Sequence, residues 1–396
     1  MPYYTGIPSF GQVPLKGVFY YMIYLDHAAT APVPKAVADT MYAVLAEQFG
    51  NPSAQYPFGM EMKKRVEDWR NTVAAALDCP ADRLAFTSCG TEGDNWALRA
   101  AVWQNRHLGR HIVTTAVEHS AVLETCKQLE REGCEVTYLT PDQDGNITAA
   151  QVLDAVRPDT AVVSVMLVNN ELGTVYPLAD IARSLSASHP KTLLHTDAVQ
   201  GLTAFSARKL GADFVTVSAH KIGGPKGVGA LYIGPRVRDP RPLLAGGGQE
   251  RSLRSGTEAT AQIAGFAKAA ELRLEHLDRN QAHLQALRAY AREKLLRIPD
   301  MVPVGTGTAP HILSVSLSGW PSQNIVNDLG SQGICISAGS ACHQGKPSHV
   351  VAALKLPKRT AAGVIRLSFG PETTQAEIDA CAEALRRHHD TRMPML

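Results

Sequence analysis

The stretch FVTVSAHKIGGPKGVGALYI, residues 214–233, decides the predicted fold. The apolar, β-branched run Phe214–Val217 predicts a strand, a Gly/Pro loop follows, and Val228–Ile233 predicts a second strand. Lys221 stands where the first strand meets the loop. A lysine at such a junction can bury its stem and point its amine into a cleft, where desolvation favours the neutral amine that forms Schiff bases. A surface lysine in a glycine-rich loop fits this stretch equally well, so the rest of the chain must separate the two interpretations.

Length, charge and hydropathy narrow the class of protein. A chain of 396 residues exceeds what one hydrophobic core usually serves, so we expect two domains. Lys plus Arg number 39 against 37 Asp plus Glu, and no segment collects a long run of one sign. This balance argues against a nucleic acid or a membrane surface as a partner. The longest apolar runs, such as residues 161–168, are far shorter than the roughly 20 residues that span a bilayer.

The cysteines and the first residues indicate the compartment. The chain has 7 cysteines, an odd number, and none of them forms a CxxC pair. This pattern argues against both a zinc site and a disulfide framework, so we expect no metal and a reducing, cytoplasmic compartment. Residues 1–21 have neither a charged start nor a continuous apolar run, so they do not resemble a signal peptide. We interpret them as an N-terminal extension that contributes little to function.

Between residues 22 and 262, apolar strand-like runs alternate with helical segments. This alternation predicts an α/β fold with a mostly parallel central sheet, helices on both faces and a site at the carboxyl ends of the strands. Polar residues follow several of the apolar runs, namely His119, Asn169, Asn170, Asp197, Gln200 and residues 218–221. Any one of them could be a cap or a turn residue, but their shared position predicts that they converge on one cleft.

The pattern changes after residue 262. Residues 265–298 space their leucines three and four apart, which predicts a long amphipathic helix leading into a second domain; a partner surface is the alternative interpretation. The segments after it predict a smaller α+β C-terminal domain. We therefore expect an extension, a large domain and a small domain at residues 1–21, 22–262 and 263–396.

The turn TSCGT, residues 87–91, lies where a predicted strand gives way to a helix. Its free N–H groups and hydroxyls could receive a phosphate. It is not a Walker loop, because the chain contains no GxxxxGK[ST]. An ordinary capped helix start explains the turn as well.

Asp197 and Lys221, both at strand ends and 24 positions apart, together suggest pyridoxal phosphate as a cofactor. Its chemistry needs a lysine to form the Schiff base and a carboxylate to keep the pyridine nitrogen protonated, so that the ring can store electrons. Donors for the phosphate could come from Gly90, Thr91, Ser218 and His220. The imidazole of His119 could stack on the ring and pass protons.

At this point the sequence resembles the cysteine desulfurases of the fold type I, class V aminotransferase superfamily. The motifs that carry the resemblance run in family order from residue 23 to about residue 370. They are YLDHAAT, FGNPSA, FTSCGTEGDN, EHSAVLETC, VNNELGTV, HTDAVQG, SAHKIGGPKGVGALY, GGGQERSLRSGT, SAGSAC and IRLSFG.

The resemblance implies a role for each matching residue. Lys221 would bind pyridoxal phosphate, Asp197 would pair with the pyridine nitrogen, and His119 would stack on the ring. Gln200 and Asn170 would lie near the ring hydroxyl and the substrate, and Arg366 would bind the substrate carboxylate. Thr257 would reach the phosphate of the partner subunit. The phosphate itself would be held by Gly90, Thr91, Ser218 and His220. The role of Thr257 implies a homodimer.

Cys342, in the SAGSAC motif, would decide the reaction. A small-residue, glycine-containing loop is typical of an exposed thiol, although composition alone fits an inert cysteine equally well. By resemblance, Lys221 would remove the Cα proton of L-cysteine, and the Cys342 thiolate would attack its sulfur, giving L-alanine and a persulfide with His119 as acid/base helper. A sulfur-acceptor protein, such as an iron–sulfur scaffold or a thiolation enzyme, is the implied partner.

Departures from the family pattern leave alternatives open. The segment HQGKPSHV after Cys342 is shorter than in the members that serve iron–sulfur assembly, which could limit the reach of a persulfide. His343 could lower the pKa of the thiol or simply face solvent, and Cys89 has no functional explanation. A selenocysteine lyase or another class V lyase or aminotransferase is the nearest alternative, and a non-catalytic scaffold is the alternative from a different class.

Overall fold

The structure is a computed structural model that describes residues 12–15, 18–201, 207–339 and 348–394. The strands are β1 Gln12–Leu15, β2 Val18–Tyr21, β3 Ile23–Tyr24, β4 Leu84–Thr87, β5 His111–Thr115, β6 Glu135–Leu139, β7 Thr160–Ser164, β8 Leu193–Asp197, β9 Phe214–Ser218, β10 Gly229–Ile233, β11 Met301–Pro303, β12 Ile312–Leu317, β13 Ile334–Cys335 and β14 Val364–Ser368. The helices are α1 Lys35–Ala46, α2 Pro57–Ala76, α3 Gly90–Gln104, α4 Ser120–Arg131, α5 Ala149–Ala155, α6 Leu178–Ser188, α7 Ala207–Leu210, α8 Thr260–Glu275, α9 Leu277–Leu295, α10 Ser322–Ser331, α11 His349–Ala353, α12 Lys358–Ala362 and α13 Gln375–Thr391.

The chain forms two compact units. The larger unit contains Thr30–Asn170 and Thr174–Asp278, and the smaller unit contains Met1–Ala29, Glu171–Gly173 and Arg279–Leu396. The predicted boundary between residues 262 and 263 falls inside α8, and strand β3 is grouped with the smaller unit. The functional division into an extension, a large domain and a small domain stays a prediction.

The larger unit is built on a seven-stranded sheet in the order β4-β10-β9-β8-β7-β5-β6. Strands β6, β5, β7, β8 and β9 run parallel to one another, and β10 runs antiparallel to both β9 and β4. Every residue of β5, β7, β8, β9 and β10 is buried, which is why these strands read as continuous apolar runs. Helix α3 packs across β7 to β10, and α4 packs on β6. The predicted α/β class with a mostly parallel sheet is confirmed.

Parallel strands bring their carboxyl ends to the same edge of the sheet. Strands β5, β7, β8 and β9 are neighbours, so the segments that follow them begin at one edge. Those segments carry His119, Asn169, Asn170, Asp197 and residues 218–221. The predicted convergence of polar residues at this edge therefore follows from the topology.

The smaller unit contains a three-stranded antiparallel sheet, β11-β12-β14. Strand β3 pairs in parallel with β13, and β1 and β2 form an antiparallel hairpin. Its core takes apolar residues from α9, α10 and α13, including Leu284, Ile325 and Leu385. The long helix expected over residues 265–298 is two helices, because His276 leaves the helical conformation (φ −113°, ψ 17°) between α8 and α9.

The helices and the cysteines bear on whether the chain crosses a membrane or carries disulfides. Within the described ranges, none of the helices combines the length and the apolar character needed to cross a bilayer. Cys79, Cys89, Cys126, Cys134, Cys335 and Cys381 all carry free thiols. Cys342 and His343 lie outside the described residues.

Candidate active site

Lys221 ends a single 3₁₀ turn, Ala219–Lys221, that follows β9 directly. The chain then returns through a tight loop to β10, where Gly229 pairs with Ser218. A side chain at Gly229 would approach the carbonyl oxygen of Val217 to 2.6 Å, so only glycine fits there. The predicted strand, loop and strand are confirmed, and they fix Lys221 at the end of a fully buried strand while its side chain stays partly exposed.

Helix α3 starts beside this junction. Gly90 is its first residue, and a Cβ added there would lie 2.9 Å from Val199 Cγ2 and 3.8 Å from Ser218 Cβ. Cys89 occupies the N-cap position, and within the described part of the chain no side chain caps the helix. The first N–H groups of α3, close to Ser218, therefore suit an anionic ligand.

His220 and Thr91 border the same region. The ring Nδ1 of His220 lies 3.3 Å from Thr30 Oγ1. Burial, with help from the positive charges of Lys221 and Lys226, lowers the pKa of His220 to about 4, so the ring is neutral at pH 7. A neutral imidazole can donate one hydrogen bond, and the exposed hydroxyl of Thr91 in the first turn of α3 can donate another, so both are suitable donors for an anion.

Asp197 is the last residue of β8 and only 6% exposed. Its Oδ1 accepts a hydrogen bond of 2.9 Å from the amide of Val199. Burial and, to a smaller extent, the neighbouring Asp94 raise the pKa of Asp197 to about 6, although His119 opposes the change. A buried carboxylate of this kind is stabilised by a cationic partner.

His119 is the N-cap of α4 and lies against the same carboxylate. Its Nδ1 accepts a hydrogen bond of 3.2 Å from the amide of Ala121, so the neutral ring carries its proton on Nε2. Ligand-type atoms of His119, Asp197 and Asp94 all lie within 4.8 Å of one another. The ring is partly exposed, which leaves a face available to a ligand.

A buried polar network lies behind Asp197. Asp94 is 1% exposed, and burial raises its pKa to about 7. His195 Nε2 lies 3.4 Å from Asp94 Oδ1 and 3.1 Å from the Thr216 hydroxyl, and its Nδ1 lies 2.8 Å from the Ser164 hydroxyl. Burial lowers the pKa of His195 to about 4, so this histidine is neutral and provides no positive charge.

Glu118 is a second carboxyl group in this region. It is completely buried, and its Oε1 accepts hydrogen bonds of 2.9 Å from the amide of Met166 and from the Thr115 hydroxyl. Burial, and to a smaller extent Asp197 and Asp94, hold its pKa well above the usual value of a glutamate. Three carboxyl groups are thus concentrated at the ends of β5 and β8 and in α3.

Arg366 belongs to the smaller unit. It lies in the middle of β14, is 4% exposed, and donates from Nη2 to Asp26 Oδ1 at 2.6 Å. Its backbone N–H and C=O pair with Ser337, at 2.8 and 3.1 Å. A rigid, buried guanidinium is suited to holding a carboxylate in a fixed orientation.

A family model described as aminotransferase class-V matches residues 23–381. The chain belongs to the class-V aminotransferases. Its relatives include the cysteine desulfurase IscS of Dictyoglomus turgidum, 39% identical over 92% of this chain and 94% of its own. A solved NifS-like protein has a TM-score of 0.87 at 35% identity, covering 94% of this chain and 100% of its own. SspA, solved in complex with cysteine, has a TM-score of 0.77 at 32% identity, covering 88% of this chain and 99% of its own.

Within the class-V aminotransferases, these relatives group the chain with the cysteine desulfurases. It is therefore an enzyme, and it depends on pyridoxal 5′-phosphate. The resemblance found in the motifs, and the enzyme class and cofactor that it implied, are confirmed. The roles of the individual site residues stay predictions.

The strand-end residues of this class-V enzyme fit pyridoxal phosphate. The buried Asp197 carboxylate, whose pKa is raised, can be stabilised by a protonated pyridine nitrogen. The uncapped first turn of α3, with Ser218 beside it, can receive the phosphate. Lys221 ends the 3₁₀ turn that follows β9, the neighbour of β8, and could provide the amine. The same Asp94, His119 and Asp197 atoms could surround a metal ion, but two carboxyl groups with raised pKa next to a lysine-bearing turn fit the ring nitrogen of this family's cofactor.

The other predicted residues are placed as follows. Asn170 and Gln200 are partly exposed and follow β7 and β8, whereas the neighbouring Asn169 is buried and donates to the carbonyl of Val117 at 3.0 Å, which is a structural role. Thr257 is exposed ahead of α8, and its role toward a partner subunit stays a prediction.

Sequence reasoning missed Asp94, Glu118 and His195. Asp94 and Glu118 stand inside the quoted motifs FTSCGTEGDN and EHSAVLETC, and His195 opens HTDAVQG. Their closeness in sequence to predicted site residues was the available signal: Asp94 follows Thr91 by three positions, Glu118 precedes His119, and His195 precedes Asp197 by two positions. Their importance depends on burial, which only the packed structure shows.

Proposed function

We propose that this class-V enzyme converts L-cysteine to L-alanine and takes the sulfur onto Cys342 as a persulfide. The strand-end cluster of Lys221, His119 and Asp197 carries the proposal, because it joins an amine, an imidazole and a buried carboxylate at one sheet edge. The similarity to cysteine desulfurases, and a solved relative in complex with cysteine, support the substrate.

Each residue of the cluster has a task that follows from its environment. Pyridoxal phosphate, when bound, would serve as the electron sink that makes the Cα proton of cysteine removable. Gly90, Thr91, Ser218 and His220 would hold its phosphate, and Asp197 its ring nitrogen. Lys221, at the end of the turn that follows β9, would take the Cα proton, and Arg366 would bind the substrate carboxylate in two-point contact.

His119 would donate or accept a second proton during the reaction. Its Nδ1 is occupied by the amide of Ala121, so proton exchange takes place at Nε2. The Nε2 proton can be given to, or taken from, a substrate group over the ring. This assigns His119 a general acid/base role as well as the stacking role.

Sulfur transfer needs a thiolate at Cys342. The thiolate forms an S–S bond with the substrate sulfur while the substrate Cβ–S bond breaks. The electron pair of the broken bond stays on carbon, which takes up a proton and becomes the methyl group of alanine. The sulfur leaves the active site as a Cys342 persulfide, which a thiol reductant releases as sulfide.

Three further parts of the proposal concern partners and location. We expect a homodimer in which Thr257 reaches the phosphate of the partner subunit. We expect a sulfur-acceptor protein, either an iron–sulfur scaffold or a thiolation enzyme for tRNA or cofactors. The free cysteines and the composition are typical of a reducing, cytoplasmic compartment.

The test is to incubate the purified holoenzyme with L-cysteine and a thiol reductant and to measure alanine and sulfide. Cys342→Ala should lose sulfide and alanine production together while it retains the visible absorbance of the bound cofactor. Equal sulfide from both proteins would overturn the persulfide mechanism. Activity of Cys342→Ala on selenocysteine but not on cysteine would support the selenocysteine lyase alternative instead.

A further inference from the structure

Arg254 and Glu92 form an ion pair at the start of α3. Arg254 donates from Nε to Glu92 Oε1 at 2.9 Å and from Nη2 to Glu92 Oε2 at 3.1 Å, which is the two-point geometry that guanidinium and carboxylate groups favour. The Glu92 side chain is 9% exposed, and that of Arg254 is 22% exposed. Both residues belong to the larger unit. The pair is thus largely shielded from water, where charges act more strongly on their surroundings.

The phosphate turn, residues 87–91, is predicted to receive the cofactor phosphate, and Glu92 directly follows it. Glu92 lies in the first turn of α3, and its Oε2 accepts a hydrogen bond of 2.8 Å from the amide of Ser88. Although burial opposes ionisation, hydrogen bonds from Arg254 and Ser88 lower the pKa of Glu92, so its carboxylate is charged at pH 7. A negative charge therefore stands in the same helical turn as Gly90, one of the residues expected to hold the phosphate.

Without compensation, this carboxylate would oppose cofactor binding. A glutamate in the first turn is favourable for the helix itself, but it repels a phosphate that binds to the N–H groups of the same turn. Arg254 supplies the compensating positive charge, and its two hydrogen bonds hold the carboxylate in one orientation. The ion pair as a whole is neutral, so the start of α3 keeps its attraction for an anion.

Arg254 belongs to a stretch of chain that is fixed against β4. Glu250 accepts a hydrogen bond of 2.8 Å from the amide of Phe86, and Arg251 Nη2 donates to the carbonyl of Leu84 at 2.6 Å. Glu250 and Arg251 have φ values of 48° and 57°, a left-handed conformation that such residues keep only where their surroundings hold them. Because β4 leads directly into the phosphate turn, Arg254 is fixed relative to the carboxylate that it contacts.

We propose that Arg254 is a positioning residue for the cofactor phosphate. It neutralises Glu92 and orients its carboxylate, and thereby keeps the start of α3 attractive to a phosphate. The inference rests on the predicted place of the phosphate at Gly90 and Thr91, and it deepens that part of the proposed function.

The alternative is that the ion pair only stabilises the fold. The two possibilities differ in which ligand a substitution affects. Pyridoxal has the same ring and aldehyde as pyridoxal phosphate but lacks the phosphate, so a change of charge at Glu92 acts on the binding of only one of the two ligands. A loss of fold stability weakens the binding of both ligands alike.

The experiment titrates the cofactor-free wild type, Arg254→Ala, Glu92→Gln and the double variant Arg254→Ala/Glu92→Gln with each ligand. The visible absorbance of the bound ring gives the two dissociation constants, and their ratio, pyridoxal over pyridoxal phosphate, measures the contribution of the phosphate. Arg236→Ala is the matched control, because it breaks a two-point ion pair with Asp213. Asp213 directly precedes β9, whereas Ser218, at the predicted phosphate site, ends that strand.

Arg254→Ala should lower the ratio by about 10–100-fold, because an uncompensated carboxylate then lies beside the phosphate. Glu92→Gln removes the charge and keeps an acceptor for the Ser88 amide, so the ratio should stay at or above the wild-type value. The double variant should recover most of the loss, since the repelling charge is gone. Arg236→Ala should lower the urea midpoint of unfolding and leave the ratio unchanged.

An unchanged ratio in Arg254→Ala, or a double variant as impaired as Arg254→Ala, would overturn the inference. If Arg254→Ala does not fold, Glu92→Gln decides, because a ratio below the wild-type value would contradict a repelling role of the Glu92 charge. A wild-type ratio close to one would instead overturn the predicted place of the phosphate on which the inference rests. The proposed reaction of L-cysteine is tested separately, through Cys342→Ala.

Discussion

The larger unit contains two groups of buried ionisable residues, one with its charges paired and one with an excess of carboxyl groups. Arg70 and Glu250 are 2% and 6% exposed and form a two-point ion pair, with distances of 2.6 and 2.9 Å. Arg70 also donates to the Leu84 carbonyl, and Glu250 also accepts from the Phe86 amide. Charge and hydrogen bonds are both satisfied, so this pair joins α2 to the turn at residues 249–252.

The second group consists of Asp94, Glu118 and Asp197, at the strand ends. Burial raises the pKa of all three, and the histidine that contacts Asp94, His195, is neutral because burial lowers its pKa to about 4. Excess buried carboxylate is unfavourable for folding and is typical of functional sites. The balanced pair therefore serves stability, whereas the acidic group suits a cationic ligand, the protonated pyridine nitrogen.

Lys221→Ala should have the largest effect, a loss of activity without a loss of stability. Loss of the amine should lower alanine formation by about 10⁴-fold, because both cofactor attachment and proton transfer depend on it. The free energy of unfolding should be almost unchanged. Lys226→Ala, an exposed lysine of the same loop, is the control and should keep full activity. Comparable losses in both variants would argue against Lys221 as the reacting amine.

Arg70→Ala should produce the opposite result, a large loss of stability. It leaves Glu250 buried without its cation, which costs about 3–5 kcal/mol of unfolding free energy. Urea unfolding of the holoenzyme measures the change. Arg99→Ala breaks a more exposed pair with Glu132 and should cost about 1 kcal/mol or less. Equal effects of the two substitutions would contradict the assignment of Arg70 to stability.

Asp197→Asn should stabilise the cofactor-free protein while it impairs the enzyme. The pKa of Asp197 is raised in the folded state to about 6, above its unfolded value, so ionisation opposes folding as the pH rises from 4 to 6. The penalty is fully present above pH 6, and removing it should add about 3 kcal/mol of stability at pH 7 and less than about 1 kcal/mol at pH 4. Asparagine keeps the acceptor for the Val199 amide.

Urea unfolding of the cofactor-free protein at the two pH values tests this sign. Asp144→Asn, at an exposed position, should change stability at neither pH. If the cofactor-free Asp197→Asn protein is less stable than the wild type at pH 7, Asp197 stabilises the fold as Arg70 and Glu250 do.

Asp94→Asn should have the smallest effect, a lowered pKa of the neighbouring Asp197. The charge of Asp94 helps to raise the pKa of Asp197, so its removal should lower that pKa by about one unit or less. The carboxyl carbon resonance of Asp197 in the cofactor-free protein reports the midpoint directly. An unchanged midpoint would mean that Asp94 acts only through its contacts with His195 and Thr216.

The parts of the site that the sequence predicts are those that depend on local pattern. Lys221 follows the β-branched strand β9, and Asp197 ends β8, which begins with two leucines. Short apolar runs of this kind form strands where both faces of a sheet are covered. The order of parallel strands then brings their ends together without further information. These features explain why the fold class and the strand-end cluster could be predicted.

The parts that escape the sequence depend on contacts between distant residues. Arg70 and Glu250 are 180 positions apart, and nothing near either residue indicates a buried partner. Asp94 and Glu118 acquire raised pKa values only when packing removes water from them. The interruption at His276 leaves a leucine periodicity that continues on both sides, so the pattern alone predicts one helix where there are two.

The pairing of β3 with β13 has a consequence for biosynthesis. Ile23 is synthesised long before its partner, Ile334, and Asp26 from the same segment is synthesised long before Arg366, which binds it. All strands of the larger sheet are synthesised in between, so that sheet can form during translation. The smaller unit must wait, and the predicted substrate arginine acquires its acidic partner only when the last part of the chain returns to the first.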